Sequence, residues 1–234
     1  MAYARELPIE LTPVSDLEIA NRARFIIRTY NHLLGAILAF AGIEVALFKT
    51  GAAETILRSM VGMPWMLVLG AFMIVGWLAS AVAHRVTAKP LQYAALLAYV
   101  VAEALIFVPL LWYCEKHAKG VLQSAAIVTG AGFLGLTLVA FWIRKDFSFL
   151  GGFLSFLGVC AVVGIFASLI FGFTLGTWFS VGMIAFAGAA ILYNTTAIMR
   201  YYPEDRYVAA SLELFAAVVL LLWYVIRLFL RLRN

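Results

Sequence analysis

Apolar residues fall into seven long blocks, at about 27–48, 62–84, 91–113, 121–143, 148–172, 176–199 and 207–229, separated by short polar breaks. Each block supplies the roughly 20 residues that a helix needs to cross about 30 Å of hydrocarbon. Lipid offers no hydrogen bonds to a peptide backbone, so a spanning segment is either a helix or a strand of a closed barrel. These blocks are twice the length of barrel strands and lack in–out alternation. The pattern therefore predicts an all-α integral membrane protein of seven transmembrane helices, with the lipid bilayer as its first partner. Five breaks carry charge: Lys49 to Arg58, Arg85 to Lys89, Glu115 to Lys119, Arg144-Lys145-Asp146 and Arg200 to Arg206. Gly172-Phe-Thr-Leu-Gly176 carries none, which predicts a tight hairpin between spans five and six. Trp65, Trp112, Tyr113, Trp142 and Trp178 fall near the block ends, the depth that suits indole and phenol rings.

Two regions follow: a polar N-terminal tail over 1–26 and a seven-helix domain over 27–234. The tail has an early run of charges and no early apolar core, so no cleavable leader is expected. Ser15-Asp-Leu-Glu18 fits a capping box, predicting a short amphipathic helix that starts near Asp16 and runs into span one. Composition agrees with the pattern. Apolar residues make up 65% of the chain, charged residues 12%, and mean hydropathy is +1.00. The net charge of +5 belongs to the loops, so no nucleic-acid partner is expected. Ten Lys and Arg lie on the N-terminal side of the seven spans and seven on the other, placing the N-terminus in the cytoplasm. The last three, Arg227, Arg231 and Arg233, argue the other way and leave open six spans with a re-entrant seventh segment. Cys114 and Cys160 lie far apart in apolar surroundings and read as packing residues, not as a disulfide or metal ligands.

One motif suggests chemistry. Gly130, Gly132 and Gly135 in "IVTGAGFLG" complete a G-x-G-x-x-G. A dinucleotide site needs a strand before that motif and a water-soluble helix after it. Here the flanks continue one apolar span, and no nucleotide is expected. Ala126-xxx-Gly130 and Ala131-xxx-Gly135 instead have the small-xxx-small spacing that lets helix backbones touch. No aspartate lies inside a span, and H-E-x-x-H and G-x-S-x-G are absent. The chain does not read as an enzyme, and neither a cofactor nor a metal ligand set is expected.

A carboxylate at the centre of a span costs about 2.5–3.5 kcal/mol on insertion scales, so such residues usually have a role. Glu103 is the deepest, roughly 18–21 Å from either boundary at 1.5 Å per residue. Glu213 lies about two turns into span seven, with Ala209, Ala210, Ala216 and Ala217 on its face, and should meet a neighbouring helix. Glu44, near Lys49, either reaches the interface or joins these two. All three are candidates for an ion pathway or its gating; the alternative is hydrogen-bonded packing. His32 reads as a packing or interfacial residue. Asn194-Thr195-Thr196 either lines a cavity or caps the end of span six.

Three stretches resemble the Bax inhibitor-1 family, also called transmembrane Bax-inhibitor-motif proteins. They are "FIIRTYNHLLGAILAF" at 25–40, "RKDFSFLGGFL" at 144–154, and residues 191–229 from "ILYNTTAIMRYY" onward. The resemblance implies a bacterial-type member with six helices around a central seventh, located in the bacterial plasma (inner) membrane. It also implies a pH-sensitive calcium leak, or modulation of a quality-control membrane protease of the AAA+ type. The family's calcium site rests on two aspartates, and the matching positions here are Asn194 and Ala217. An amide and a methyl neither titrate nor balance a divalent cation, which takes several hard oxygen ligands. Two expectations follow: a cation or proton pathway using Glu103 and Glu213, or a non-conducting modulator of a membrane complex.

Overall fold

A computed structural model describes residues 13–143 and 145–233. Arg5, Glu6 and Glu10 of the tail, and Arg144 of the fourth break, lie outside the described residues. The elements are α1 (Ile19–Lys49), α2 (Ala52–Val61), α3 (Trp65–Arg85), α4 (Lys89–His117), α5 (Val121–Ile143), α6 (Leu150–Phe171), α7 (Gly176–Arg200) and α8 (Tyr207–Arg233). All except α2 are long and apolar enough to cross a membrane, so the seven expected spans are present.

The seventh span is the axis of the bundle. Of its most apolar stretch, 72% is buried, against 6% for α6. It packs against α1, α3, α4, α5 and α7, and α6 reaches it through Ala161, which clusters with Met183 of α7 and Tyr224 of α8. Ala209, Ala210, Ser211 and Ala217 explain why α8 takes the centre. Apolar side chains gain little by exchanging lipid for another helix, whereas small ones let backbones approach and gain van der Waals contact. Larger rings fill the remaining gaps. Phe215 is fully buried, edge-on to Tyr99 of α4 at 6.1 Å and to Phe40 of α1 at 6.1 Å.

The N-terminal entry differs from expectation. The capping box does not form: the Ser15 hydroxyl donates to Asp16, and Glu18, the residue before α1, makes no cap hydrogen bond. A single 3-10 turn over Val14–Asp16 precedes the helix. Another contact holds this segment. The Val14 amide donates to the Tyr202 carbonyl at 2.9 Å, Pro13 bridges to Pro203, and the Val14 side chain is completely buried. The first break is not a plain loop, since it folds into α2 after Gly51 turns the chain at φ 76°.

The glycines of α5 also depart from the expected packing. Gly130 and Gly135 are exposed, and a Cβ built on either would meet nothing within 4 Å. Only Gly132 faces the bundle, with Leu221 of α8 at 3.9 Å from such a Cβ. The small-xxx-small pairs thus point towards lipid, because Ala125, Thr129 and Ala140 turn inward instead. The dinucleotide alternative has no support, because a single helix runs through the motif. The α6–α7 hairpin is as tight as expected. Gly172 closes α6 at φ 71° and Gly176 opens α7 at φ 71°, left-handed conformations that a side chain would strain.

Shortening Phe215 to Ala should destabilise the bundle by roughly 3 kcal/mol, because the ring leaves a cavity among three helices. Leu134→Ala on the lipid face should change stability by less than about 0.5 kcal/mol. Denaturation in mixed micelles measures both, and equal effects would contradict the central placement of α8.

Candidate functional site

α4 runs from Lys89 to His117, and Glu103 stands at its midpoint, 5% exposed. Tyr99, one turn earlier on the same helix, lines the same cavity as Glu103. On α8, Glu213 accepts a 2.8 Å hydrogen bond from Ser80 of α3. It therefore meets a helix neighbour, as its alanine-rich face implied. Both glutamates line one cavity of about 820 Å³ bounded by α3, α4, α6, α7 and α8. Asn194 and Ala217 line the same cavity. Along α8 its walls extend from Glu213 to Arg231, which at 1.5 Å per residue is roughly 27 Å, close to the thickness of the hydrocarbon core.

The inner end stops at a short polar chain. Nδ1 of His84 is 2.9 Å from the Ser80 carbonyl, which can only accept, so that nitrogen carries the proton. In the neutral ring Nε2 then accepts from the Tyr202 hydroxyl at 3.2 Å. His84 Nδ1 also lies 3.9 Å from the Glu213 carboxylate. Glu213, Ser80, His84 and Tyr202 thus connect the end of the cavity to the α7–α8 loop. Below them, Arg206, 6% exposed, donates to the Val86 carbonyl at 2.6 Å, and Lys89 donates to the Asp205 carbonyl. These bonds fasten the α3–α4 and α7–α8 loops together under the cavity.

The other candidates lie elsewhere. Glu44 is buried within the bundle instead of exposed on it. It is 6% exposed, neither of its oxygens has a hydrogen-bond partner among the described residues, and it does not line the cavity. His32 packs as expected, stacked on Tyr93 with centroids 5.5 Å apart and bonded to its hydroxyl at 3.1 Å. Asn194 does not cap a helix end. It sits six residues before Arg200, and its amide donates to the Glu213 carbonyl at 3.1 Å, tying α7 to α8. Cys114 and Cys160 are free thiols, and no group of three or more His, Cys, Asp or Glu able to hold a metal occurs among the described residues. Ser80 and His84 were missed in the sequence. Their i, i+4 spacing near the end of an otherwise apolar span is the signal that marks them.

A family model described as "Inhibitor of apoptosis-promoting Bax1" matches residues 22–234. The chain belongs to the Bax inhibitor family. An uncharacterized Pseudomonas aeruginosa protein is 34% identical over 104 residues, 44% of this chain and 46% of that protein. Protein LIFEGUARD 4 of Arabidopsis thaliana is 32% identical over 114 residues, 45% of each chain. The vaccinia virus (strain Lister) Golgi anti-apoptotic protein is 25% identical over 169 residues, 71% of this chain and 69% of the viral one. The matches to the first two therefore span under half the length of those relatives. No solved structure matches the chain.

The stretch "RKDFSFLGGFL", which carries the Bax inhibitor resemblance most specifically, holds a second polar contact. Asp146 accepts from the Tyr201 hydroxyl and from the Ser148 amide at 2.9 Å, with Arg200 3.9 Å away. The Tyr201 hydroxyl foremost, then the Ser148 amide, hold the Asp146 carboxyl below its ordinary range. Because the folded value is the lower one, the stabilisation is complete above the ordinary carboxylate value of about 4 and disappears as pH falls through the depressed one. Asp146→Asn should therefore lower the melting temperature in detergent at neutral pH, and the gap from the parent should close on acidification. A gap that stays constant with pH would contradict this role.

Proposed function

We propose that the cavity is a proton-sensitive cation leak pathway, with Glu103 at mid-membrane and Glu213 at the inner end as its charged stations. One observation carries this reading: the two deepest carboxylates of spans three and seven converge on a single cavity nearly as long as the bilayer core is thick. Calcium or protons are the candidate cargo. A resident calcium ion takes six to eight oxygen ligands, far more than two separated glutamates offer, so transient passage fits better than storage. The Ser80–His84–Tyr202 chain beside Glu213 supports a closed inner end. In this reading the N-terminus is cytoplasmic, the membrane is the bacterial inner membrane, and no step is enzymatic.

A second reading draws on Asn194 and Ala217. They face the cavity where the family resemblance expects the aspartate pair, and Asn194 serves as a cross-link between helices. A non-conducting modulator of a membrane AAA+ protease or another complex would keep such a cavity without its titrating pair.

Calcium and proton flux into liposomes holding the purified chain separates the two. Under the leak reading, Glu103→Gln and Glu213→Gln each reduce flux roughly tenfold, about 1.4 kcal/mol of barrier, and Glu213→Gln flattens its pH response. Flux at the level of protein-free vesicles rejects the leak and favours the modulator, which should then copurify with a larger membrane complex.

A further inference from the structure

The far end of the cavity has a different chemistry from its glutamate end. Arg227 and Arg231 stand one turn apart on the inward face of α8 and both line the mouth. Neither has a carboxylate partner among the described residues. Arg227 lies over the Tyr224 ring, 5.9 Å from its centroid, and feels the like charge of Arg231. The third arginine of this end behaves otherwise: Arg233 donates to the Lys119 carbonyl at 3.0 Å and does not line the cavity. Two half-buried cations thus repel each other in a part of the cavity whose neighbouring walls are mostly apolar, with Glu103 and Glu213 lining the same cavity. Leu69 and Phe72 of α3 form one wall, Val162, Ile165 and Leu169 of α6 the other, with Phe173 of the hairpin beside the mouth. The walls belong to two helices in sparse contact, so the cavity opens sideways between them.

An apolar slot ending in two unpaired guanidinium groups complements an amphiphile with an anionic head. Arginine forks hold phosphate oxygens in pairs, and basic pockets between membrane helices select anionic headgroups. The volume of about 820 Å³ lies within the roughly 300–1,000 Å³ of ligand-sized pockets. We propose that this cavity binds one anionic phospholipid, its phosphate between Arg227 and Arg231 and one acyl chain lying between α3 and α6. The lipid neutralises the arginine pair and closes the sideways opening. The site stands whether or not the protein conducts.

Arginines at a helix end also extend their heads to the headgroup layer over any lipid. What separates the two cases is the chain inside the cavity. The full chain in detergent is mixed with equal phosphatidylglycerol and phosphatidylcholine of identical acyl chains, and lipid retained through gel filtration is counted by mass spectrometry. One phosphatidylglycerol per chain, preferred roughly tenfold, is expected. Arg227→Gln with Arg231→Gln should abolish the preference, and Arg233→Gln should keep it. Should the double glutamine variant fail to insert, Arg227→Lys with Arg231→Lys preserves the charges and, lacking the fork, should retain less than the parent. Ile165→Trp fills the slot without touching charge and should reduce retention of phosphatidylglycerol. Equal retention of the two lipids by the parent overturns the proposal. Undiminished retention by Ile165→Trp, or complete displacement by free inorganic phosphate, also overturns it, since either means the headgroup alone is held.

Discussion

In hydrocarbon an apolar helix gains almost nothing by trading lipid for another apolar surface, so close packing has to come from shape. α8 meets that condition with Ala209, Ala210, Ser211 and Ala217, all nearly or fully buried, and five other spans settle on it. The remaining polar chemistry depends on this contact. Glu213 is brought to Ser80 because α3 lies against α8, and Asn194 reaches the Glu213 carbonyl because α7 does. Were α8 lined with large side chains throughout, these groups would stand too far apart to meet.

The same constraint explains the cavity. α6 carries few inward-facing residues and approaches the axis mainly through Ala161, so the space between it and α3 stays open. A polar group facing that space avoids the cost of lipid exposure while keeping room to exchange partners. Glu103 and Glu213 occupy its middle and inner end, and the arginine pair its mouth. Opposite charges therefore mark the two ends of one cavity, held apart by the length of α8.

Much of this was legible in the sequence. Spans are a signal of composition and length, and all seven were found within a few residues; the helix expected from near Asp16 into span one begins at Ile19 and runs on without a break to Lys49. The depth of Glu103 followed from counting along one helix. What the sequence hid was rotation and partnership. Gly130 and Gly135 have the spacing for close approach but face lipid, because spacing does not say which way a face turns. Asn194 resembled a cap because it sits in a polar cluster near a helix end, yet its partner is on another helix. Ser80 and His84 passed unnoticed because each is ordinary alone and acquires meaning only opposite Glu213. The capping box failed for a similar reason: a distant strap at Tyr202 outweighed a local hydrogen-bond pattern.

That strap has a consequence for synthesis. Pro13 and Val14 leave the ribosome long before Pro203 and Tyr202, the residues that hold them, have been translated. Six spans must enter the bilayer while the leading segment waits without its docking surface, and it can seat only once the last loop has emerged. A segment made before six spans is thus among the later ones to be seated, and its seating ties the entry of α1 to the loop that leads into α8.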